Sequence, residues 1–143
     1  MSEDLSDIKV MIIDDSKTIR KTAETLLKKT GCNVVTAEDG FDALSKIVRE
    51  NPDIIFIDVM MPRLDGYETC TMIRSNEQYS STPIIMLSSK SSFCDKAKGD
   101  VVGANAYLAK PFARDELLDA INEYAGAGSA EGSAASSRRR RIS

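Results

Sequence analysis

Short apolar runs alternate with longer segments of mixed polarity through most of this chain. The apolar runs cover residues 9–13, 34–35, 54–57, 83–87 and 106–108. They lack the strict apolar–polar alternation of a strand with one solvated face, so they are typical of strands buried on both faces. We therefore predict five short strands.

The segments between these runs carry apolar residues at helical spacing. The stripes consist of Ile19, Ala23, Leu26 and Leu27; Ala43, Leu44, Ile47 and Val48; Tyr67, Cys70 and Ile73; and Leu117, Leu118, Ile121 and Tyr124. The first stripe stops at Gly31 and the second before Pro52, both common helix ends. Residues 91–102 are polar and contain Gly99, which favours a short fourth helix. Five successive strand–helix units predict an α/β fold, a doubly wound five-stranded parallel sheet with five helices on both faces.

The two ends of the chain differ from its centre. Residues 1–7 form an acidic N-terminal leader, and residues 8–125 hold all the predicted elements. Residues 126–143 are rich in Gly, Ala and Ser and contain the run 138–141 of four Arg, which predicts a disordered tail. We expect a solvated tail, with acidic lipid, nucleic acid or a partner protein as alternative contacts. We expect no output domain after residue 125, and hence no DNA-binding helix-turn-helix in this chain.

Charge and composition exclude several classes of protein. The formal net charge is -3, but residues 1–124 carry 15 basic and 21 acidic residues, a net charge of -6. Such an acidic body argues against nucleic-acid binding by the folded domain. No apolar stretch reaches the roughly 20 residues of a membrane span, and no signal peptide is recognisable, so we expect a soluble, cytoplasmic protein. Cys32, Cys70 and Cys94 are widely spaced and fit reduced thiols.

Four of the five predicted strands end in polar residues that are suited to chemistry. The first strand is followed by Asp14 and Asp15, the third ends in Asp58, the fourth leads into Ser88, and the fifth leads into Lys110. The second strand is the exception, which suits a position at the edge of the sheet. In a doubly wound sheet the other four strand ends converge at one rim, where ligands bind.

The residue types at this rim predict a phosphoryl site. Three neighbouring carboxylates, Asp14, Asp15 and Asp58, repel one another unless a hard divalent cation such as Mg²⁺ neutralises them. Lys110 adds a compact positive charge and Ser88 a hydroxyl donor, while a carboxylate is a recognised nucleophile. Each residue alone has an ordinary explanation, such as a helix cap or a solvated strand end. Their joint occurrence at four strand ends favours a shared site over four separate explanations.

The motifs at these strand ends resemble the receiver domain of two-component response regulators. The motifs are residues 13–16, residues 58–62 with 65–66, residues 86–90, and residues 107–112. The resemblance covers about residues 8–125. Within the family, the sequence at 16–20, 65–70 and 95–99 is most similar to stand-alone regulators of type IV pilus chemosensory systems. The resemblance implies a flavodoxin-like strand order 2-1-3-4-5.

The resemblance implies a single-domain signalling protein rather than an enzyme. Asp58 would accept a phosphoryl group from a histidine kinase or a histidine phosphotransfer domain. Asp15, Asp58 and the backbone carbonyl of Met60 would ligate Mg²⁺, with Asp14 acting through water. Phosphorylation would switch protein–protein binding in type IV pilus (twitching) motility or in chemotaxis-type signalling.

The same resemblance implies a set of switch residues. Lys110 would bind the Asp58 carboxylate and then a phosphate oxygen, and the peptide bond between Lys110 and Pro111 would be cis. Ser88 would move toward the phosphoryl group and Tyr107 would turn inward behind it. A downstream protein would bind the face of the fourth helix, fifth strand and fifth helix. The protein would be a monomer or a weak phosphorylation-dependent dimer.

The sequence departs from the common family pattern at two positions, and its motifs also differ from those of three other classes of protein. Ser88 replaces the more frequent Thr and keeps its hydroxyl, while Ser89 stands where Ala is common. An aspartyl-phosphate phosphohydrolase has a second carboxylate two residues after the nucleophile, where this chain has Met60. A nucleotide- or flavin-binding module needs a Gly-rich turn after the first strand, where residues 14–17 are polar or charged. A degenerate receiver that serves only as a scaffold would lack some of the key side chains.

Overall fold

The computed structural model describes residues 7–61, 63–88 and 103–125. The predicted fourth helix at 91–102 lies outside the described residues, as do Ser89, Cys94, most of the N-terminal leader and the whole of 126–143.

Five parallel strands form one sheet in the order β2-β1-β3-β4-β5. The strands are β1 (Lys9–Ile13), β2 (Asn33–Ala37), β3 (Ile54–Asp58), β4 (Ile84–Ser88) and β5 (Ala106–Ala109). The helices in the described part of the chain are α1 (Lys17–Lys28), α2 (Gly40–Glu50), α3 (Gly66–Arg74), the 3-10 helix Glu77–Tyr79 and α4 (Arg114–Tyr124). The predicted doubly wound sheet, its strand order and the edge position of the second strand are confirmed.

Helix starts are set by side-chain caps. Ser16, Asp39 and Asp65 each accept a backbone N–H from the first turn of α1, α2 and α3 respectively. Such caps satisfy helix donors that would otherwise have no partner. α2 ends at Asn51 in the left-handed conformation, with φ of 49°, and Gly31 follows α1 with φ of 95°. The helix ends predicted at these two places are therefore confirmed.

The core consists of two apolar layers, one on each face of the sheet. α1 and α4 pack on one face, and α2 and α3 pack on the other. Strands β3 and β4 are buried along their whole length, and only the first residue of β1 is partly exposed. Burying one Ile or Leu side chain contributes about 1.5–3 kcal/mol, so these three strands supply much of the folding free energy. The centre of the sheet therefore consists of three buried strands whose carboxyl ends lie at one rim.

Two further features concern the predicted lack of a membrane span and the predicted reduced thiols. Among the described residues, no helix is long and apolar enough to cross a membrane. Cys32 and Cys70 are buried thiols, and burial raises the pKa of both. Both lie in the core like other small apolar residues.

Candidate functional site

The four polar strand ends meet at the carboxyl edge of the sheet. Asp14 follows β1, Asp58 and Ser88 are the last residues of β3 and β4, and Lys110 follows β5. The register aligns Asp58 with Leu87 and Ser88 with Ala109. Adjacent parallel strands thus end at the same level, which brings these side chains to one place.

Asp14 is fully buried and fixed from three directions. Its backbone N–H donates to the Ala37 carbonyl at 3.1 Å, which ties it to β2. Its Oδ1 accepts the Ser16 N–H at 2.8 Å, and its carbonyl accepts a hydrogen bond from Arg20 at 2.6 Å. The helix cap is Ser16 and not an aspartate, so the ordinary cap explanation does not account for Asp14.

Asp58 is only 3% exposed and lies at the start of the loop that leads to α3. Its Oδ1 accepts the Met60 N–H at 3.3 Å. The loop folds back because the Gly66 N–H donates to the Val59 carbonyl at 3.0 Å. A Cβ atom at Gly66 would overlap the Asp58 carbonyl oxygen, so this close approach requires glycine.

Lys110 connects the two buried carboxylates. Its Nζ lies 3.1 Å from Asp58 Oδ1 and 3.2 Å from Asp14 Oδ2, and its side chain is 15% exposed. The Lys110 N–H donates to the Ser88 carbonyl at 2.7 Å, which extends the β4–β5 ladder past the strand ends. The Lys110–Pro111 peptide bond is cis.

The electrostatics of the site disfavour a negative charge on Asp58 beside the Asp14 carboxylate. Burial raises the pKa of Asp58 to about 6, and the nearby Asp14 carboxylate adds to this rise, while Lys110 offsets part of it. Burial lowers the pKa of Lys110, but Asp14 and Asp58 together bring it above its ordinary value. Lys110 is therefore a stable cation between two carboxylates that repel each other.

The three carboxylates can hold a cation. One oxygen from each of Asp14, Asp15 and Asp58 lies within 4.8 Å of the others. Asp14 and Asp58 are buried and Asp15 is exposed, so the cluster opens to solvent on one side. Carboxylate oxygens are the hard donors that Mg²⁺ and Ca²⁺ take, so this donor set fits such an ion. The part expected for the Met60 carbonyl remains a prediction.

The predicted switch residues lie close to this cluster along the sheet. Ser88 is 5% exposed at the end of β4. Tyr107 is half-buried in β5, aligned with Met86, two residues before Ser88. Their movement remains a prediction.

Two features of the rim were not predicted. Arg20 donates to the carbonyl of Asp14, and Arg63, with φ of 67°, bridges from the loop after β3 to Asp39 at 2.7 Å. The second contact joins that loop to the start of α2. Arg20 could have been noticed as a cation one turn into the helix after the aspartate pair, whereas the Arg63 contact has no signal in the sequence pattern.

The comparisons with known proteins agree with the geometry of the site. Residues 10–122 match the response regulator receiver domain family. The chain belongs to this family. Protein PilG of Pseudomonas aeruginosa is 61% identical over 124 residues, which is 87% of this chain and 92% of that protein. A probable transcriptional regulator ycf27 of Guillardia theta is 46% identical over 109 residues, 76% of this chain, and the match spans only 42% of that longer protein.

Solved structures of other receiver domains have the same fold. The chemotaxis protein CheY4 of Vibrio cholerae superposes with a TM-score of 0.78 and 39% identity, over 80% of this chain and 96% of CheY4. A putative response regulator from Chloroflexus aurantiacus gives a TM-score of 0.77 at 35% identity, over 80% of this chain and 94% of its own. The protein is thus a receiver domain with the flavodoxin-like topology that the sequence predicted. Its relatives are signalling proteins, and the phosphohydrolase and nucleotide-binding alternatives are not favoured.

Proposed function

We propose that this chain is a single-domain response regulator that accepts a phosphoryl group on Asp58 and transmits the signal by protein–protein contact. The observation that supports this most directly is the Lys110 bridge between Asp58 and Asp14, at 3.1 and 3.2 Å. A cation held beside a buried carboxylate at the rim of the sheet is positioned to bind the oxygens of an incoming anion.

We assign Mg²⁺ as the cofactor, since the acidic cluster presents only carboxylate oxygens. In this proposal Asp15, Asp58 and the Met60 carbonyl are direct ligands and Asp14 binds through water. When bound, Mg²⁺ neutralises charge on the carboxylates and on the phosphoryl oxygens.

In the proposed transfer, a carboxylate oxygen of Asp58 attacks the phosphorus of a phosphohistidine on a histidine kinase or phosphotransfer domain. Lys110 and the Met60 N–H both bind Oδ1, so we assign the attack to Oδ2. An O–P bond forms, the N–P bond breaks, and its electron pair stays on the imidazole, which takes a proton from solvent. The donor histidine belongs to the partner, because this sequence contains no His.

Lys110 then exchanges one carboxylate contact for a phosphoryl oxygen, and the Ser88 hydroxyl donates to another. The modification adds about -1.5 to -2 charge at a site that already repels negative charge. New contacts to Ser88 and Lys110 favour one arrangement of the rim only by the difference in their strength between the two states. Tyr107 turning inward is the proposed readout on β5. The group is transferred to the protein's own side chain, so no separate substrate is turned over.

The 61% identity to PilG supports a role in type IV pilus (twitching) signalling, with flagellar-type chemotaxis as the alternative. We further propose that residues 8–125 form the receiver, that it acts in the cytoplasm, and that it binds no DNA. The protein partner would bind the face formed by the helix predicted at 91–102, by β5 and by α4, which is the fifth helix predicted from the sequence. In the unmodified state the protein would be a monomer, and modification would at most favour a weak dimer.

The decisive experiment is treatment with acetyl phosphate or a phosphorylated kinase domain in the presence of Mg²⁺, followed by intact mass. We expect a single phosphoryl group on wild type, and none with EDTA or in Asp58→Asn. Asp53→Asn is a matched control, because Asp53 immediately precedes the opposite end of β3. Equal labelling of Asp58→Asn and wild type would refute the assignment.

A further inference from the structure

An acidic cleft lies where α4 meets the edge strand β5. Its volume is ≈ 240 Å³, and the residues lining it include Tyr107, Glu116, Asp119, Glu123 and Tyr124. The three carboxylates stand three and four positions apart, so they share one face of α4. Among the described residues that line the cleft, none is a cation.

The rest of α4 offers this cleft little compensating charge. Arg114 is the one basic residue in the helix sequence, and it pairs at 3.6 Å with Asp115, which does not line the cleft. Glu116 caps the helix, since its Oε1 accepts the Ala113 N–H at 2.7 Å. Asp119 and Glu123 are therefore the carboxylates best placed to receive a cationic ligand.

The sequence supplies such a ligand a short distance away. Thirteen residues, 125–137, separate the end of α4 from the four arginines at 138–141. Their Gly/Ala/Ser composition predicts a flexible linker with an average span of about 20 Å. The stretch of α4 from Glu116 to Glu123 rises by only about 10 Å. A tether of this length gives an effective concentration of the arginine run on the order of millimolar at the cleft.

We propose that the arginine run 138–141 folds back onto the acidic cleft and binds Asp119 and Glu123. Guanidinium groups make paired hydrogen bonds to carboxylates and stack on aromatic faces, which matches the two carboxylates beside Tyr124. Exposed ion pairs are individually weak and are screened by salt, so the contact is populated at low ionic strength and released at high ionic strength.

The cleft lies on β5 and α4, within the face that we propose for the protein partner. The arginine run would therefore compete with that partner and tune its access to the domain. This consequence rests on the proposed function, but the contact itself does not.

The test uses the full chain, labelled with ¹⁵N, in the unphosphorylated state. Replacement of Arg138, Arg139, Arg140 and Arg141 by Ser should shift the amide signals of 106–108 and 116–124 at low salt. The difference should vanish in about 1 M NaCl, where the Debye length is about 3 Å. No change at these amides at low salt would overturn the proposal.

A second variant makes the test specific for the cleft. In Asp119→Asn/Glu123→Gln, the same four Arg→Ser replacements should no longer alter the spectrum. The matched control Asp115→Asn/Glu77→Gln removes one Asp and one Glu outside the cleft and should keep the full effect. An equal effect in both backgrounds would show that the arginines do not bind the cleft.

Two further measurements address other occupants. Shifts that grow with protein concentration would mean contact between copies and would contradict an intramolecular contact. Vesicles containing phosphatidylserine should bind Asp119→Asn/Glu123→Gln more tightly than the Asp115→Asn/Glu77→Gln control, because the arginine run is released. Equal binding would overturn the proposal. None of these measurements uses a phosphodonor, so failure of labelling at Asp58 and failure of the tail contact are separate outcomes.

Discussion

Asp58 is a buried carboxylate next to a second one, Asp14, and one ammonium group, Lys110, offsets part of their repulsion. The pKa of Asp58 is raised from 3.8 to about 6, with burial as the larger cause and Asp14 as the next. The folded protein therefore holds this proton more tightly than the unfolded chain. The corresponding stability is fully present below about pH 4 and is lost as the pH rises to about 6.

The raised pKa of Asp58 leads to a prediction for the stability of Asp58→Asn. The neutral amide avoids the cost of the buried charge, so with EDTA present the variant should be more stable than wild type above about pH 6, by about 1–2 kcal/mol. The gain should shrink as the pH falls toward 4, because Asp58 is then protonated in wild type. Urea unfolding across this pH range measures it, with Asp53→Asn as the control. A gain that is constant with pH would contradict the raised pKa.

The site residues could be placed at one rim from sequence because a parallel sheet brings the carboxyl ends of its strands together. Asp14, Asp58 and Ser88 each directly follow an apolar run, and Lys110 follows one after a single residue, which makes them easy to find. Their individual contacts could not be predicted. Lys110 and Asp14 are 96 positions apart, and which carboxylate oxygen the ammonium binds depends on side-chain packing at the rim. The roles assigned to these residues in phosphorylation stay predictions until labelling is measured.

Among the elements, α2 and α3 begin in the same way, with an aspartate cap followed by glycine. Their surroundings differ. A Cβ at Gly40 would meet the side chains of Thr69 and Leu64, whereas a Cβ at Gly66 would meet the backbone of Asp58 and Val59. Side chains can rotate away, but the backbone at the end of β3 cannot move without displacing the site.

We therefore expect Gly66→Ala to cost about 1–3 kcal/mol of stability, and Gly40→Ala to cost less. Gly66→Ala should also slow phosphorylation of the remaining folded protein, while Gly40→Ala should leave the rate near that of wild type. Urea unfolding and labelling by acetyl phosphate measure the two effects. Equal behaviour of the two variants would mean that the loop after β3 is more compliant than its contacts indicate.

Arg74, the last residue of α3, joins three segments that the strand pattern alone does not connect. Its guanidinium donates to the carbonyls of Tyr79, Thr82 and Gly103 and to Asn105 Oδ1, at 2.6 to 3.0 Å. Burial lowers its pKa. This cation thus fixes the turn before β4 and the entry to β5 through neutral oxygens.

Arg74→Lys should destabilise the protein by about 2 kcal/mol, because one ammonium cannot reach four acceptors arranged around a planar fork. Amides at 103–105 should then exchange faster with solvent. Arg49→Lys, at an exposed position of α2, is the matched control and should change stability by less than about 0.5 kcal/mol. A loss of stability at Arg74 no larger than at Arg49 would show that the planar guanidinium of Arg74 is not needed for stability.

The strands and long helices could be predicted because each carries its own apolar period. The 3-10 helix Glu77–Tyr79 could not, since three residues show no period. Tyr79 is nevertheless among the most buried side chains, and its hydroxyl donates to the Ile47 carbonyl at 3.3 Å. That burial comes from the packing of α2 and α3 on one face of the sheet, which is a tertiary effect.

At the scale of the whole molecule, two sources of Mg²⁺ stabilisation must be separated. The acidic body would be stabilised by any cation that screens its charge, whereas the carboxylate cluster would be stabilised by specific binding. Asp15 distinguishes the two, because it is exposed and contributes to the cluster, while Asp115 is exposed and lies on α4.

We expect Mg²⁺ at ten times its dissociation constant to stabilise wild type and Asp115→Asn by about 1.4 kcal/mol. For a domain of this size the melting temperature should rise by about 4–6 °C. Asp15→Asn should lose most of this rise, because only two of the three carboxylates remain. Thermal unfolding with Mg²⁺, compared with NaCl at the same ionic strength, measures the effect. An equal rise in Asp15→Asn and Asp115→Asn would mean that Mg²⁺ acts by screening and that the cluster is not a metal site.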